Sequence, residues 1–318
     1  MMRTQTIAAF AELGVADAIA TGTTSTEAIA AEVGANADAL RRILRLLEAD
    51  GLVSQSSPEE WRLSETGELL REGVAGSLRH QAILFGGELY EAWAGAMTSF
   101  RSGSAAFSER FGLPFFDWLQ QHPESARRFD RAMSGTSSVR LRPMLERDWS
   151  AVRTVVDIGG GDGALLEALL ERYASLEGTS FDLPEVAERA ATRIAGTSVA
   201  DRLRAEGGDF FRAVPVADVY VLSQILHDWS DPECARILQA CARAARPGTR
   251  VLVLEQILPD DAAPSPVKFT DLNMLVLLGG RERTLAQFAE LLAAGGWQLV
   301  DRRDGPRWSM LEAALAQR

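Results

Sequence analysis

A short apolar run that breaks into glycines and resumes as a helix constrains this chain more than any other feature. Val155-Val156-Asp157-Ile158 has the β-branched, apolar character of a buried strand. Gly159-Gly160-Gly161-Asp162-Gly163 follows, and Ala164 to Tyr173 carries helical periodicity. A strand turned sharply into a helix opens a β-α-β unit, which commits the chain to a parallel sheet covered by helices. Glycines at the turn let the backbone fold tightly and a ligand approach it closely. The helix N-terminus behind them offers free N–H groups to the same spot.

The pattern continues to the end of the chain. Thr179–Asp182, Val219–Leu222 and Val251–Leu254 read as further strands. Helices are expected after Pro184, over Asp231 to Ala245 and over Leu285 to Ala294. Trp297–Arg302 and Trp308–Ala314, separated by Asp304-Gly305-Pro306, suit a terminal antiparallel pair. Asp260 to Pro266 is the clearest exposed loop. Residues before about 150 are of another kind. Ile7, Phe10, Leu13 and Val15 mark one helical face; Ser25 opens a capped helix through Val33; Asp38 is expected to cap a helix bearing Leu40, Ile43, Leu44, Leu46 and Leu47. Leu52-Val53 and Trp61-Arg62-Leu63 then bracket a hairpin. Helix, turn, helix, hairpin is the order of a winged helix. Arg41, Arg42 and Arg45 on its second helix invite a DNA-reading interpretation. The many acids around them favour a packing or dimerisation module. Residues 81–150 read as a helical, aromatic-rich linker and substrate-pocket region, and residues 151–318 as the catalytic domain, after a first domain over 1–80.

Composition narrows the function classes. The 318 residues suffice for two domains, and 47% hydrophobic with 24% charged residues suits a globular chain. A formal net charge of −11 opposes nonspecific binding to nucleic acid or anionic membranes. No apolar run is long enough to span a bilayer, and the start lacks the apolar core of a signal peptide, so a cytoplasmic location is expected. Cys234 and Cys241 lie a heptad apart in one helical segment and are expected to be reduced core residues. With three scattered histidines and no acidic cluster of ligand spacing, no metal is expected.

Two stretches carry chemistry. Gly159, Gly161 and Ala164 satisfy the dinucleotide pattern, while Asp157, Gly159, Gly161 and Gly163 satisfy the D-x-G-x-G-x-G pattern of S-adenosylmethionine (SAM) enzymes. Asp182 at the end of the next strand suits a ribose diol in either case. The glycine run and Asp182 therefore leave a nicotinamide cofactor and SAM both open. Asp209 is a candidate for an adenine amino group, with Phe210 against the ring. The second stretch, Gln224-Ile225-Leu226-His227-Asp228-Trp229-Ser230-Asp231, puts one of the few histidines at the carboxyl end of a strand, where α/β folds place ligands. Its ordinary pKa of about 6.5 suits a general base.

Taken with Phe181-Asp182-Leu183-Pro184, Gly207-Gly208-Asp209, Glu255-Gln256-Ile257-Leu258-Pro259 and Gly280-Arg281-Glu282-Arg283-Thr284, these motifs occur in an order that resembles the SAM-dependent small-molecule O-methyltransferases, which include plant caffeate and bacterial polyketide and phenazine enzymes. The resemblance covers nearly the whole chain. It implies a class I methyltransferase fold, a Rossmann-like doubly wound α/β sheet, with an N-terminal all-helical winged-helix dimerisation domain and a homodimer. It implies methyl transfer from SAM, leaving S-adenosylhomocysteine, to a phenolic or enolic hydroxyl of an aromatic natural product, without metal, nucleic acid or membrane partners. By resemblance His227 is the base and Glu255 and Glu282 are the acids that hold it. Asp157, Gly159, Gly161, Asp182, Leu183, Gly208, Asp209, Phe210, Ser223 and Asp228 are cofactor contacts. Met133 and Met274 sandwich the acceptor ring, with Trp93, Phe129 and Asn273 also facing the acceptor. One departure stands out: plant members carry a lysine where this chain has Ser223. The competing readings are a SAM-binding relative with non-methylating chemistry (hydroxylase, decarboxylase or pericyclase), a winged-helix regulator and a nicotinamide oxidoreductase.

Overall fold

A computed structural model describes residues 1–58 and 60–316. The chain forms two compact units. One comprises Met1–Ala94 and His122–Thr136, the other Gly95–Gln121 and the chain from Ser137 onward. Residues 81–150 are thus divided between them.

The first unit is helical apart from the hairpin β1 (Val53–Ser57) and β2 (Glu60–Leu63). Helix Met2–Leu13 stops at Gly14, whose φ of 74° turns the chain into a second helix, Val15–Ala20. Phe10, Val15, Ile29, Leu40, Leu44, Leu47 and Trp61 form its core. The Trp61 indole donates to Thr26 Oγ1 at 2.9 Å, satisfying its one buried polar atom. Asn36, not Asp38, caps helix Ala37–Ala49: its Oδ1 accepts from Ala39 N at 3.0 Å. Asp38 lies inside the first turn and pairs with Arg42 at 2.7 Å. Asparagine holds the extended backbone of a cap as readily as aspartate, so residue type alone did not separate the two positions. Arg41 pairs with Glu27 at 2.6 Å. Two of the three cations on this helix are thus already matched by acids.

The second unit is built on a sheet ordered β5-β4-β3-β6-β7-β9-β8. Its strands are β3 (Thr154–Ile158), β4 (Glu177–Asp182), β5 (Leu203–Gly207), β6 (Val219–Ser223), β7 (Arg250–Glu255), β8 (Trp297–Asp304) and β9 (Ser309–Leu315). β3 to β7 run parallel; β9 is antiparallel to both β7 and β8. Successive residues of the central strands face opposite layers. Val156, Ile158, Tyr220, Leu222, Val251 and Val253 pack with Ile237, Leu238, Phe288 and Leu292 on one side. Val155, Val219, Val221, Leu252 and Leu254 pack with Leu165, Leu166, Leu169 and Leu170 on the other. Each such side chain contributes about 1.5–3 kcal/mol on burial, which favours this register over one shifted by a residue. Cys234 and Cys241 are buried and free on helix Asp231–Ala244.

Among the elements with no counterpart in the sequence expectations are β5 and helix Pro266–Leu278. β5 buries only Leu203, so it shows no apolar run. Helix Pro266–Leu278 carries apolar residues without a clear stripe and follows directly on the predicted loop. Strand order reverses between β3 and β6, which share an edge while β4 and β5 lie on the other side of β3. The crevice beyond the carboxyl ends of β3 and β6 is the switch point where such sheets bind ligands. None of the described helices is long and apolar enough to cross a membrane.

Candidate active site

His227 sits in a single 3-10 turn, Leu226–Asp228, just past β6. The exit from β6 runs through Gln224, a non-glycine residue at φ 57°, whose N–H is held by Leu254 O at 3.0 Å. Such a conformation is costly for a side-chain-bearing residue and persists where the surroundings enforce it. Glu255, at the end of β7, supplies the enforcement. Its Oε1 accepts from the backbone N–H groups of Ile225 at 3.1 Å, Leu226 at 2.9 Å and His227 at 3.4 Å. One buried carboxylate oxygen thus satisfies the start of the turn that carries the histidine.

Glu282 arrives on a loop clamped to the same turn. Arg281 N donates to His227 O at 2.9 Å, and Glu282 N to Asp271 Oδ1 at 2.9 Å. Leu258 N donates to Arg283 O at 2.9 Å. The Arg283 guanidinium, 1% exposed, donates to Leu226 O at 2.6 Å and Trp229 O at 2.8 Å and forks onto Asp231 Oδ1. Gly280 permits this approach: a Cβ there would lie inside van der Waals contact of the His227 carbonyl oxygen. Glu282 therefore pairs with His227, not with its neighbouring arginines.

The resulting cluster is closed to water; His227 is 5% exposed and both glutamates are buried. His227 Nδ1 lies 3.0 Å from Glu282 Oε1, a hydrogen bond, and 3.4 Å from Glu255 Oε2, a charge contact. Nε2 faces Asp228 Oδ1 at 3.3 Å. Burial opposes a charge on the ring, but Glu255, Asp228 and Glu282 outweigh it and lift His227 to about 10. Burial pushes Glu255 and Asp228 up to about 7 each, with His227 opposing the shift in both. The protonation of His227, Asp228 and Glu255 is therefore linked. The outer oxygens, Oε2 of Glu255 and of Glu282, are buried and accept no hydrogen bond. His227, Glu255 and Glu282 also present donor atoms within 4.8 Å of one another, a spacing that could admit an ion, although Glu255 Oε1 is already committed to backbone N–H groups.

One strand away lies the glycine loop. Gly159, Gly161 and Gly163 have φ of 71°, 56° and 83°, where side chains are disfavoured. A Cβ on Gly159 would collide with Ile225 and one on Gly160 with Ser180, while Gly161 faces open space. Asp182 braces the loop from β4, with Oδ2 accepting from Gly161 N at 2.9 Å and Oδ1 from Leu183 N at 2.7 Å. Gly208 N donates to Asp182 O at 2.8 Å. Asp209 is engaged in its own turn: Oδ1 accepts from Phe211 N at 2.9 Å, and Oδ2 pairs with Arg212 at 3.1 Å. The half-buried Phe210 meets Trp229 edge-on with ring centroids 6.1 Å apart. Asp157, at the end of β3, is pushed up to about 7 by burial, with Arg140 opposing. Its Oδ1 is buried and accepts no hydrogen bond. An open glycine cradle beside an unsatisfied buried carboxylate oxygen fits an amino-acid cofactor such as SAM, which brings an ammonium donor.

Ser223 Oγ accepts from Arg140 Nη1 at 3.1 Å. Arg140, the packing of Ile225 against the glycine loop and the bracing role of Arg283 carry no local sequence signal, because each depends on tertiary placement. Asn273 and Met274 are buried on helix Pro266–Leu278 in the second unit. Trp93, Phe129 and Met133 belong to the first unit, on helices Glu88–Ala94 and Pro123–Ser134.

A doubly wound sheet with a glycine cradle at its switch point has the class I methyltransferase architecture, and a histidine–carboxylate cluster stands on the adjoining strand. Comparison with known proteins gives the family. The O-methyltransferase domain model matches residues 93–298 and the O-methyltransferase dimerisation domain model residues 1–73. The phenazine O-methyltransferase PhzM of Lysobacter antibioticus is 41% identical over 93% of this chain and 87% of its own length. The aclacinomycin 10-hydroxylase RdmB of Streptomyces purpurascens is 35% identical over 92% of this chain and 80% of its own. The crystal structure of NcsB1, an O-methyltransferase from neocarzinostatin biosynthesis in complex with S-adenosylhomocysteine and 1,4-dihydroxy-2-naphthoic acid, superposes with a TM-score of 0.82 at 35% identity, covering 100% of this chain and 97% of that one. The chain belongs to the O-methyltransferase family and is a SAM-dependent enzyme.

Proposed function

We propose that the enzyme methylates a phenolic or enolic hydroxyl of an aromatic natural product, with His227 as general base and no metal. The observation that carries this reading is the pairing of His227 Nδ1 with Glu282 at 3.0 Å, which leaves Nε2 as the working nitrogen. SAM supplies a methyl group already activated on a sulfonium. The chain's task is to orient the acceptor and to take its proton. A phenol is mostly neutral near pH 7, so its oxygen gains nucleophilicity as the proton moves to Nε2. Glu282 fixes the tautomer with Nδ1–H and stabilises the imidazolium that forms. Asp228, 3.3 Å from Nε2, adds a negative charge that supports the imidazolium formed on transfer. Asp157, Gly159, Gly161, Asp182, Leu183, Gly208, Asp209, Phe210, Ser223 and Asp228 are the cofactor contacts in this reading. Trp93, Phe129, Met133, Asn273 and Met274 are acceptor contacts on the strength of the family resemblance. The relatives' names point to phenazine and naphthoate-like aromatics as first acceptors to try. A homodimer built through the dimerisation domain completes the reading.

The test is a SAM-dependent assay against phenolic phenazines and naphthoates, read by product mass. A gain of one methylene unit with release of S-adenosylhomocysteine is expected. A product that gains oxygen or loses carbon dioxide would instead give the non-methylating reading. Undiminished methylation by His227→Ala would remove the base role.

A further inference from the structure

We propose that Arg140 is the anchor for the carboxylate of the cofactor's methionine moiety. Arg140 lies on the short helix Ser137–Leu141 and is 7% exposed. Burying a guanidinium is costly unless charge and hydrogen bonds compensate. Here Nη1 donates to Ser223 Oγ and Nη2 to Ser137 Oγ, each at 3.1 Å. Ser223 ends β6 and Asp157 lies near the end of β3, so Arg140 is tied to the switch-point crevice itself. Burial lowers its proton affinity, while the charges of Asp157, Asp162 and Glu255 support it. This positive charge plays no part in the proton chemistry at His227.

The direction of the cofactor follows from the fold. Asp182 on β4 braces the glycine loop on the side away from β6, and Gly208 and Asp209 lie farther that way, past β5. The ribose and base therefore extend toward β4 and β5. The transferable methyl must come within reach of His227, beyond β6. The amino-acid tail then falls between the ends of β3 and β6, where two complementary groups wait. Asp157 Oδ1, buried and accepting no hydrogen bond, suits an ammonium. Arg140 offers a fork of N–H donors, the geometry that best fits a carboxylate. A zwitterion placed there would meet an opposite charge at each end. This inference rests on the proposed placement of SAM on the glycine loop.

Calorimetric titration of the full chain with S-adenosylhomocysteine and with its decarboxylated analogue, S-adenosyl-3-thiopropylamine, tests it. Wild-type protein should prefer S-adenosylhomocysteine. Arg140→Met should weaken that ligand on the order of 10–100-fold while changing the decarboxylated analogue little, so the ratio of the two affinities collapses. Arg140→Gln, which keeps a donor for Ser223 without the charge, should lose the same ratio and serves if the methionine variant does not fold. A variant that weakens both ligands equally, or neither, overturns the proposal. Failure of the cofactor placement reads differently: Gly161→Val would then leave wild-type affinity for both ligands intact.

Discussion

The glycine loop and the His227 cluster stand on neighbouring strands and are built by opposite means. From Asp157 to Gly163 the exposed surface is largely backbone, shaped by positive φ at three glycines within one continuous segment. The His227 cluster is made of side chains from three segments, each delivered by a different element: the turn after β6, the end of β7 and the loop before helix Leu285–Ala294. A backbone site depends on the absence of side chains; a convergent site depends on how the elements meet. They should therefore fail differently when altered.

The largest effect is expected from His227→Ala. Turnover should fall about 10²–10⁴-fold, with S-adenosylhomocysteine affinity within a few-fold of wild type by calorimetry. Equal losses in both would mean that the two regions are not separable. Glu282→Gln comes next. It keeps a partner for Nδ1 but removes the charge that supports the imidazolium, so kcat should fall about tenfold or more, with KM for SAM little changed in steady-state assays. Glu255→Ala should act mainly on stability, because it leaves the N–H groups of Ile225 and Leu226 unpaired. At about 1–3 kcal/mol per orphaned donor, a calorimetric Tm lower by about 5 °C or more is expected. Gly159→Ala should reverse the pattern of His227→Ala. The φ of 71° and the collision with Ile225 should weaken S-adenosylhomocysteine binding about tenfold, with kcat largely preserved at saturating SAM.

The smallest effect is a displacement along the pH axis. The carboxylates around His227 raise its proton affinity, so the free base appears only as pH rises toward about 10. Activity should climb with pH through the neutral range. Asp228→Asn removes one negative charge next to Nε2, lowers the ring's affinity for a proton and should move that limb to lower pH. A kcat–pH profile unmoved in Asp228→Asn would show that Asp228 does not set the ring's proton affinity.

The contrast also explains what could be read from the residues. The glycine loop was legible because its conformation is written locally, in a strand, a turn and a helix start. β6 and β7 were legible as buried apolar runs, and their ends located His227 and Glu255. β5 was not, because an edge strand with only Leu203 buried has no such run. Arg140 was invisible for another reason: it precedes the sheet, and nothing near it in sequence announces that it ends beside Ser223, 83 residues on. The cap at Asn36 in place of Asp38 turned on backbone geometry that both residue types accept. Glu282 was found through motif order, but its freedom from Arg281 and Arg283 became clear only when Arg283 was seen occupied with Asp231 and two carbonyls.

That buried guanidinium has a kinetic meaning. By joining the carbonyls of Leu226 and Trp229 to Asp231 while its own backbone carbonyl binds Leu258, Arg283 rivets the turn that carries His227 to the segment that delivers Glu282. The entropy of bringing His227 and Glu282 together is lost once, as the chain folds, and not at every turnover. The pair therefore stands assembled by the chain alone, with no ligand needed to bring its two members together.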